Sequence, residues 1–578
     1  QRKISGLITD SKGELLIGAN IVAKENTAVG TISDIDGKFE LTVPNDVKAL
    51  LVSYTGFSSL EVTLSSETNY SITLQEGTNI QEVLITSPFG GQFSREKFTG
   101  SAATIGSTAI GTRAITNVGQ ALVGAAAGVQ ATFGSGQPGS EPNIRIRGFG
   151  SINSSNDPLY VVDGVPYSGA IANLNTNDIE NVTILKDASS TALYGSRAAN
   201  GVVMITTKKG TKGKTTINVK YTRGYSDRAV PEYDQVGLTD YYPLMWETHK
   251  NTVQYRATNP LTADSAARDA SSRLVSLVGY NAYNVPNNQL VGTDGKLNPS
   301  AQLIYKPEDL DWQTPLFRNG GRDELTTEFS GGDGKTNYFV SGGYLDDKGF
   351  LIRTSFKRYT ARLNVNSELR SWIKVGANLG YTHSDSENND AGGNTSFVNP
   401  FFFSRGMGPI YPVYAYDPAN PGQYLLDGNG NPRYDYGNLS ALGLPNRPQF
   451  GGRHVIAETI LNTNDFKRNV FSGRAFTDLN LLKGLKLTIN GGVDFTNRYD
   501  NTFQNPEIGD GAPAGRASTT HLNITSLNIS QVLNYTTQFG HHGFNVILGQ
   551  ETFTRTDNTL SGSRSQLVSG GNTNLINF

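Results

Sequence analysis

The stretch Asn143-Ile144-Arg145-Ile146-Arg147-Gly148-Phe149-Gly150 decides the fold of the segment around it. Its apolar and charged residues alternate, which predicts a short strand that ends at a glycine corner. Similar apolar runs follow at Pro158–Pro166, Ile179–Ala188 and Val202–Lys209, and a further glycine-rich corner lies at Tyr194–Gly201. We predict four short strands and one helix over about residues 177–193, which together make a compact mixed α/β unit.

This order of motifs resembles the plug domain of TonB-dependent outer-membrane transporters, in the form found in the SusC/RagA family of nutrient importers of Bacteroidetes. The resemblance covers essentially the whole chain and implies a plug at residues 101–212. A plug must stay movable inside a water-lined barrel. We therefore expect its outer surface to be polar and to contact the wall by hydrogen bonds and ion pairs.

Two arginines of the opening stretch fit this description. Arg145 and Arg147 alternate with Ile144 and Ile146, so strand geometry puts both guanidinium groups on one face and both isoleucines in the plug core. The resemblance makes a set of charged plug residues candidates for motif or gating roles: Arg145, Arg147, Asp163, Asp187 and Arg197. The alternative is that they make ordinary structural ion pairs. Asp163-Gly164 predicts a hairpin turn.

Composition narrows the class of protein. Only 37% of the 578 residues are hydrophobic and 65 are glycine, which favours many turns over several large cores. The 49 basic and 51 acidic residues nearly balance, which argues against a nucleic-acid partner. The absence of cysteine removes disulfides and thiolate chemistry, and six histidines leave few metal ligands. We predict no cofactor, no metal site and no enzymatic activity.

No apolar run reaches the roughly 18 residues of a spanning helix, and no leader sequence is evident. A chain of this kind would therefore span a membrane as a β-barrel. The resemblance makes Gln1 the expected mature N-terminus after removal of a signal peptide.

Residues 1–76 are predicted to form a small β-sandwich. Seven short strands are expected there, near residues 4–9, 19–24, 30–33, 38–43, 49–54, 60–64 and 70–74. The segment resembles the carboxypeptidase-regulatory-like domain that precedes the plug in many SusC-like proteins, and it implies no peptidase. Asp34 and Asp36 indicate a hairpin turn, with a calcium loop as the alternative.

Residues 77–100 have the glycine, serine and proline content of a linker. The linker contains Glu82-Val83-Leu84-Ile85-Thr86, which resembles a TonB box. An extended strand former in a flexible tether can add to the edge of another protein's sheet. The alternative is that these residues form an edge strand of the preceding sandwich.

Residues 213–578 have the pattern of transmembrane barrel strands. Tyr359, Ala361, Leu363 and Val365, for example, alternate with Thr360, Arg362, Asn364 and Asn366. We predict nine antiparallel strands, near residues 215–226, 322–332, 335–345, 355–369, 372–386, 466–481, 484–500, 519–537 and 543–557. Short turns alternate with longer connections, including very long ones near 227–321 and 387–465. The apolar phase slips near Thr525-Ser526, where we predict a β-bulge.

Nine strands do not close such a barrel, and the resemblance implies 22 strands. We therefore interpret the chain as the N-terminal part of a longer transporter. The fold class is mainly β: a β-sandwich, an α/β plug domain and an incomplete antiparallel transmembrane β-barrel.

One outer loop, from Asn399 to Tyr436, is rich in aromatic residues. Aromatic faces stack on sugar rings and peptide side chains, so we expect a ligand or partner loop there. Its candidate residues are Phe401, Phe402, Phe403, Tyr411, Tyr414 and Tyr416. The alternative is that these rings pack the loop itself.

Together these observations predict TonB-dependent import of oligosaccharides or oligopeptides across the outer membrane of a Gram-negative bacterium. The resemblance implies the SusC-like channel of a SusCD-type complex. Its expected partners are a SusD-like surface lipoprotein, TonB with its inner-membrane motor complex, the substrate and outer-membrane lipid. The alternative function is a receptor or adhesin that binds or signals without transport.

Overall fold

The computed structural model divides the chain into two compact units, Gln1–Ser101 and Ala102–Phe578. It describes residues 2–567 and 575, apart from residues 12, 25–28, 45–46, 55–56, 58–59, 66, 76–84, 87–91, 94–100, 114, 135, 188–191, 212, 390–398 and 541.

The first unit contains the predicted sandwich. Its strands are β1 (Arg2–Asp10), β2 (Asn20–Ala23), β3 (Gly30–Ile32), β4 (Lys38–Val43), β5 (Ala49–Ser53), β6 (Leu60–Thr63) and β7 (Asn69–Leu74). One sheet has the order β4-β1-β7 and the other has the order β3-β2-β5-β6. All seven predicted strands are confirmed. Two short strands follow, β8 (Ile85–Thr86) and β9 (Gln92–Phe93), which pair with each other.

Period-two alternation builds the sandwich core. In β4, Phe39, Leu41 and Val43 are buried while the residues between them are exposed. The core also contains Ile8 and Leu50, each with no exposed surface. Sheets that face water on one side show this pattern.

The second unit begins with the plug. Its strands are β10 (Ala102–Gly106), β11 (Val129–Thr132), β12 (Asn143–Ile146), β13 (Leu159–Val162), β14 (Val165–Pro166), β15 (Ile179–Leu185) and β16 (Val202–Thr207), and its helices are α1 (Ser107–Gly111) and α2 (Val118–Ala121). Five strands form one sheet in the order β10-β15-β16-β13-β14, while β11 pairs with β12. Ile144 and Ile146 are buried in the plug core, as predicted.

The helix predicted at about residues 177–193 is wrong. Ile179–Leu185 is strand β15, which pairs with β10 on one side and with β16 on the other. Its β-branched residues stiffen χ1 and favour a strand, and two neighbouring strands satisfy its backbone. Helical character is limited in the described residues there to 3₁₀ turns at Thr176–Asp178 and Ala192–Ala198.

The Asp163-Gly164 turn is confirmed. It joins β13 to β14, and its residues have φ values of 50° and 86°. Positive φ at both central positions suits the twist of a tight hairpin, and aspartate and glycine tolerate it. Gly148 and Gly201 also have positive φ.

A nine-stranded antiparallel sheet surrounds part of the plug. Its strands are β17 (Gly213–Ser226), β18 (Gly320–Gly332), β19 (Thr336–Lys348), β20 (Ser355–Arg370), β21 (Ile373–Glu387), β22 (Thr463–Leu482), β23 (Leu485–Gln504), β24 (Arg516–Phe539) and β25 (His542–Ser565). Each strand pairs with the next in sequence, so the nine predicted strands are confirmed. Tyr359 and Leu363 are 47% and 39% exposed on the outer face, while Asn364 is buried against the plug.

The bulge predicted at Thr525-Ser526 is wrong. Strand β24 pairs without a shift against β23 and β25 through both residues. The apolar phase changes while the pairing does not, so Leu522 and Ile524 lie on the same face as Ser526. A bulge would disrupt the ladders with both neighbours.

The two long connections fold together into an outer cap. Its helices are α3 (Leu238–Tyr255), α4 (Ala263–Val278), α5 (Pro400–Gly406) and α6 (Val455–Leu461). Thr262 caps the start of α4, which ends at Gly279 with φ 83°. Buried residues from both connections form one hydrophobic cluster that includes Tyr242, Leu274, Trp312, Phe403 and Val455. Among the described helices, none has the length and apolar character needed to cross a membrane.

Leu50→Ala in the sandwich, expressed as residues 1–76, is expected to lower the free energy of unfolding by about 2–5 kcal/mol. Leu50 has no exposed surface, so the substitution leaves a cavity in the core. The matched control is Leu51→Ala, because Leu51 is 36% exposed. Urea denaturation measures both variants. Equal destabilisation by the two variants would contradict the described core.

Candidate functional site

Arg358 of strand β20 joins the wall to two separate segments of the plug. Its Nη1 donates to the backbone oxygens of Thr116 and Ala172 at 2.8 Å and lies 3.3 Å from that of Leu174. The side chain is only 2% exposed. A buried guanidinium is tolerated when its hydrogen bonds are made, and here the plug backbone accepts them.

Beside Arg358, two wall residues that form an ion pair also make hydrogen bonds to the plug. Arg322 Nη2 donates to Glu324 at 2.8 Å and to the backbone oxygen of Ile115 at 2.9 Å, while its Nη1 donates to Thr116 Oγ1 at 2.8 Å. Glu324 in turn accepts from Asn177 Nδ2 at 3.0 Å. Each member of the ion pair therefore also bonds to the plug.

Asp178 is the plug carboxylate that the wall holds. Its oxygens accept from Ser341 Oγ at 2.6 Å and from Arg362 Nε at 3.4 Å, and the residue is 2% exposed. Further along the plug, Lys208 pairs with Glu328 at 2.8 Å. Asn364 Nδ2 donates to the backbone oxygen of Lys208 at 2.6 Å.

These contacts form what we call the polar seat: Arg322, Glu324, Glu328, Ser341, Arg358, Arg362 and Asn364 of the wall, with Ile115, Thr116, Ala172, Leu174, Asn177, Asp178 and Lys208 of the plug. All seven wall residues lie on β18, β19 and β20. The charged groups are mostly paired, so the seat offers hydrogen bonds that water could replace one at a time.

Among the charged plug residues predicted from the sequence, Asp163 and Arg197 contact the wall. Asp163 accepts from the backbone N–H of Thr207 at 2.9 Å and from Asn378 Nδ2 of β21 at 3.1 Å. Arg197 bonds to Glu551 of β25 at 2.8 Å. Its guanidinium also lies 4.9 Å from the ring centre of Phe553. Both residues therefore anchor the plug outside the polar seat.

The other three predicted plug residues pair within the plug. Arg145 pairs with Asp157 at 2.8 Å, and Arg147 pairs with Asp187. Arg147 has a φ of 59° immediately after β12, so it does not continue the strand. The structure thus brings Arg147 and Asp187 together and keeps Arg145 apart from them.

Sequence analysis missed most of the polar seat. Arg358 and Arg362 lie four residues apart in β20, so both point to the plug side of a strand whose other face is apolar. A charged residue on the inward face of a barrel strand was the available signal. This signal does not reveal which backbone oxygens accept from the arginine, because those oxygens belong to residues 242 and 186 positions away in the sequence.

The proposed TonB box is only partly described. Glu82, Val83 and Leu84 lie outside the described residues. Ile85 and Thr86 form β8, which pairs with Phe93 and Gln92 of β9. The role of the segment stays a prediction.

The six aromatic residues predicted for a ligand or partner loop differ in burial, and their role in binding stays a prediction. Phe403 has no exposed surface, and Tyr411 and Tyr416 are 8% and 5% exposed, so these three pack inside the cap. Tyr416 donates to Asp309, and Tyr411 donates to the backbone of Val278. The remaining candidates, Phe401, Phe402 and Tyr414, are half-buried. Packing these rings together removes a large apolar area from water, which stabilises the folded cap.

His454 is a buried histidine at the centre of the cap. Its Nε2 donates to the backbone oxygen of Val413 at 2.8 Å, and its Nδ1 accepts from the N–H of Ala457 at 3.1 Å. Its ring centre lies 4.5 Å from that of Trp312. Burial lowers the pKa of His454 to about 3. Protonation would place a second N–H against the Ala457 donor, so this site holds the neutral ring.

Comparison with known proteins agrees with this architecture. The family described as "TonB-dependent Receptor Plug Domain" matches residues 94–202, and that described as "CarboxypepD_reg-like domain" matches residues 4–85. TonB-dependent receptor P3 of Formosa agariphila is 29% identical over 577 residues, which cover 98% of this chain and 49% of that protein. TonB-dependent receptor SusC of Bacteroides thetaiotaomicron is 28% identical. That alignment covers 95% of this chain and 50% of that protein.

Among solved structures, the RagAB peptide importer in the "open-open" state aligns with a TM-score of 0.62 and 25% identity. The alignment covers 83% of this chain and 50% of that one. The chain therefore spans about half the length of the relatives it matches. A plug seated in an antiparallel wall is the architecture of TonB-dependent outer-membrane receptors, to which this chain is similar. Within that class, the chain is similar to proteins of the SusC/RagA type.

Arg358→Met is expected to loosen the plug in the full-length protein. The change removes the charge-assisted hydrogen bonds to the plug backbone, of which the two at 2.8 Å together stabilise its seating by about 3–6 kcal/mol. Because the sequence lacks cysteine, Ala121→Cys supplies a unique thiol at a buried plug position. Maleimide labelling of that thiol should be at least about tenfold faster with Arg358→Met. The control is Arg370→Met, an exposed arginine of the same strand. Equal labelling rates for the two variants would refute the role of Arg358.

We expect the free energy of unfolding of the cap to decrease as the pH is lowered, because His454 is held neutral in the folded state. Its folded pKa of about 3 lies below the usual 6.5, so its contribution is complete above about pH 6.5 and is lost as the pH falls towards 3. Burial raises the pKa of Asp435 and of Glu458, which act in the opposite direction. The His454→Gln variant therefore isolates the histidine. Denaturation followed by tryptophan fluorescence should show a steeper acid loss in the wild type, and parallel pH profiles would contradict it.

Proposed function

We propose that the protein imports oligosaccharides or oligopeptides by TonB-dependent transport across the outer membrane of a Gram-negative bacterium. It would act as the SusC-like channel of a SusCD-type complex. The observation that carries the proposal is the polar seat. A plug that only had to close a hole would be held best by apolar packing, whereas a plug that must move needs contacts that water can replace.

The energies suit a gate that opens on demand. Each hydrogen bond of the seat contributes about 1 kcal/mol net, and bonds to charged groups contribute about 1.5–3 kcal/mol. Together they hold the plug firmly at rest. A pull from one end would break them in sequence, so no single step has to overcome the whole sum. The separate anchors at Asp163 and Arg197 fit such stepwise release.

Energy would enter through Glu82–Thr86. In this proposal TonB, driven by its inner-membrane motor complex, pairs with the segment as an added strand, because an extended segment can extend the edge of a partner's sheet. The segment precedes the plug in the chain, so tension on it reaches the plug directly.

A SusD-like surface lipoprotein is the proposed outer partner. The cap supports this, because connections of this length are uncommon unless they have a function of their own. RagAB, with which this chain aligns, is described as a peptide importer. Gentle solubilisation of outer membranes should recover the full-length protein with a bound lipoprotein, and recovery as a bare monomer would count against this partner.

Leu84→Pro in the full-length transporter is expected to abolish energy-dependent uptake while leaving outer-membrane level and ligand binding near normal. Proline removes one backbone donor and disturbs strand pairing. The control is Leu84→Ala, which keeps the backbone N–H and should retain uptake. Growth on the cognate nutrient measures the effect. Wild-type growth of the proline variant at normal expression would contradict a coupling role for this segment.

A further inference from the structure

A polar cavity opens at the outer ends of strands β22, β23 and β24, beside helix α6. Its volume is about 290 Å³, at the lower end of the size of small-molecule sites, roughly 300–1,000 Å³. The side chains that matter for its chemistry are Asn389, Thr459, Thr463, Asn464, Thr502 and Gln504. The cavity is therefore a small chamber walled mainly by amides and hydroxyls.

Amide and hydroxyl side chains both donate and accept hydrogen bonds. Sugar hydroxyls do the same, so a ring carrying several hydroxyls can be satisfied from many directions by such a wall. Charged ligands need a different environment, in which an opposite charge is free to pair with them.

The acidic groups around the cavity are already paired. Glu458 bonds to Arg453 at 2.9 Å, and Asp510 bonds to the same arginine. Glu458 also accepts from the backbone N–H of His454 at 2.9 Å. The remaining charged lining residue, Arg516, is exposed at the last residue pair of β23 and β24. The two acids and the two arginines, Arg453 and Arg516, balance, so the net charge around the cavity is close to zero.

Gln504 supplies an open acceptor. Its Oε1 is buried and has no hydrogen-bond partner among the described residues. A buried acceptor without a partner destabilises the folded protein unless something else satisfies it. A ligand hydroxyl in the cavity would do so.

The cavity also adjoins the plug. Its lining residue Asn388 is contacted by Gln137 of the plug, whose Nε2 also lies 3.3 Å from the backbone oxygen of Glu387. An occupant of the cavity would therefore sit next to a point where the plug meets the wall.

We propose that this cavity is a subsite for one neutral sugar unit of a larger oligosaccharide. The inference rests on the proposed function and narrows its substrate class from oligosaccharide or oligopeptide to neutral oligosaccharide. Gln504 and the surrounding amides and hydroxyls bind the ring hydroxyls, and the rest of the oligosaccharide extends into the lumen.

The test uses the full-length protein purified in detergent and two probes: a mixture of short neutral hexose oligosaccharides and a mixture of short peptides. Native mass spectrometry identifies what is retained, and calorimetry measures its affinity. Gln504→Met keeps the side-chain length and removes an unpartnered amide oxygen, so it should fold normally. Thr463→Val removes a lining hydroxyl with little change in shape. The control is Gln531→Met, on the exposed face of β24.

The proposal predicts oligosaccharide binding that weakens about tenfold in Gln504→Met and in Thr463→Val and is unchanged in Gln531→Met. Oligosaccharide binding with equal affinity in all variants would overturn the subsite, and the cavity would then hold only water. Retention of peptides alone would overturn the substrate class while leaving the proposed importer intact. Retention of neither probe would count against both the subsite and the proposed import function.

Discussion

A plug that closes a wide pore and later opens it must be held by contacts that can be exchanged for water. Arg358 shows how the chain meets this constraint. Its buried guanidinium bonds to plug backbone oxygens at 2.8 Å, where apolar side chains could have packed. Apolar burial stabilises by about 25 cal/mol per Å² and releases only when the whole surface separates. Hydrogen bonds break singly, and their atoms are then satisfied by water.

The rest of the second unit follows from this requirement. The inward faces of β18, β19 and β20 carry the polar side chains that bond to the plug, together with the buried rings of Phe339 and Phe356. The plug keeps its own apolar core, centred on Ile144, Val182 and Val203, so it holds together without the wall. The cap likewise packs its aromatic rings around Trp312 and His454, separately from the plug. Apolar cores thus stabilise the plug and the cap separately, while hydrogen bonds and ion pairs join the plug to the wall.

Sequence analysis predicted the parts of this design that local pattern determines. Period-two alternation predicts the seven sandwich strands and the nine wall strands, and the Asp163-Gly164 pair predicts a hairpin turn. These predictions hold because each element depends only on neighbouring residues. Ile179–Leu185 was assigned to a helix although its β-branched residues favour a strand, and only pairing with β10 and β16 decides the matter. The polar seat and the buried state of Phe403 depend on contacts between distant segments, which one sequence does not reveal.

The central claim is that polar contacts hold the plug so that it can leave the wall in steps while the wall stays folded. Single-molecule pulling tests it most directly, with the full-length protein in a bilayer and the force applied ahead of residue 101. The account predicts several small extensions as successive contact groups release, an unchanged wall, and reseating when the force is removed. A single large event in which plug and wall unfold together would contradict it.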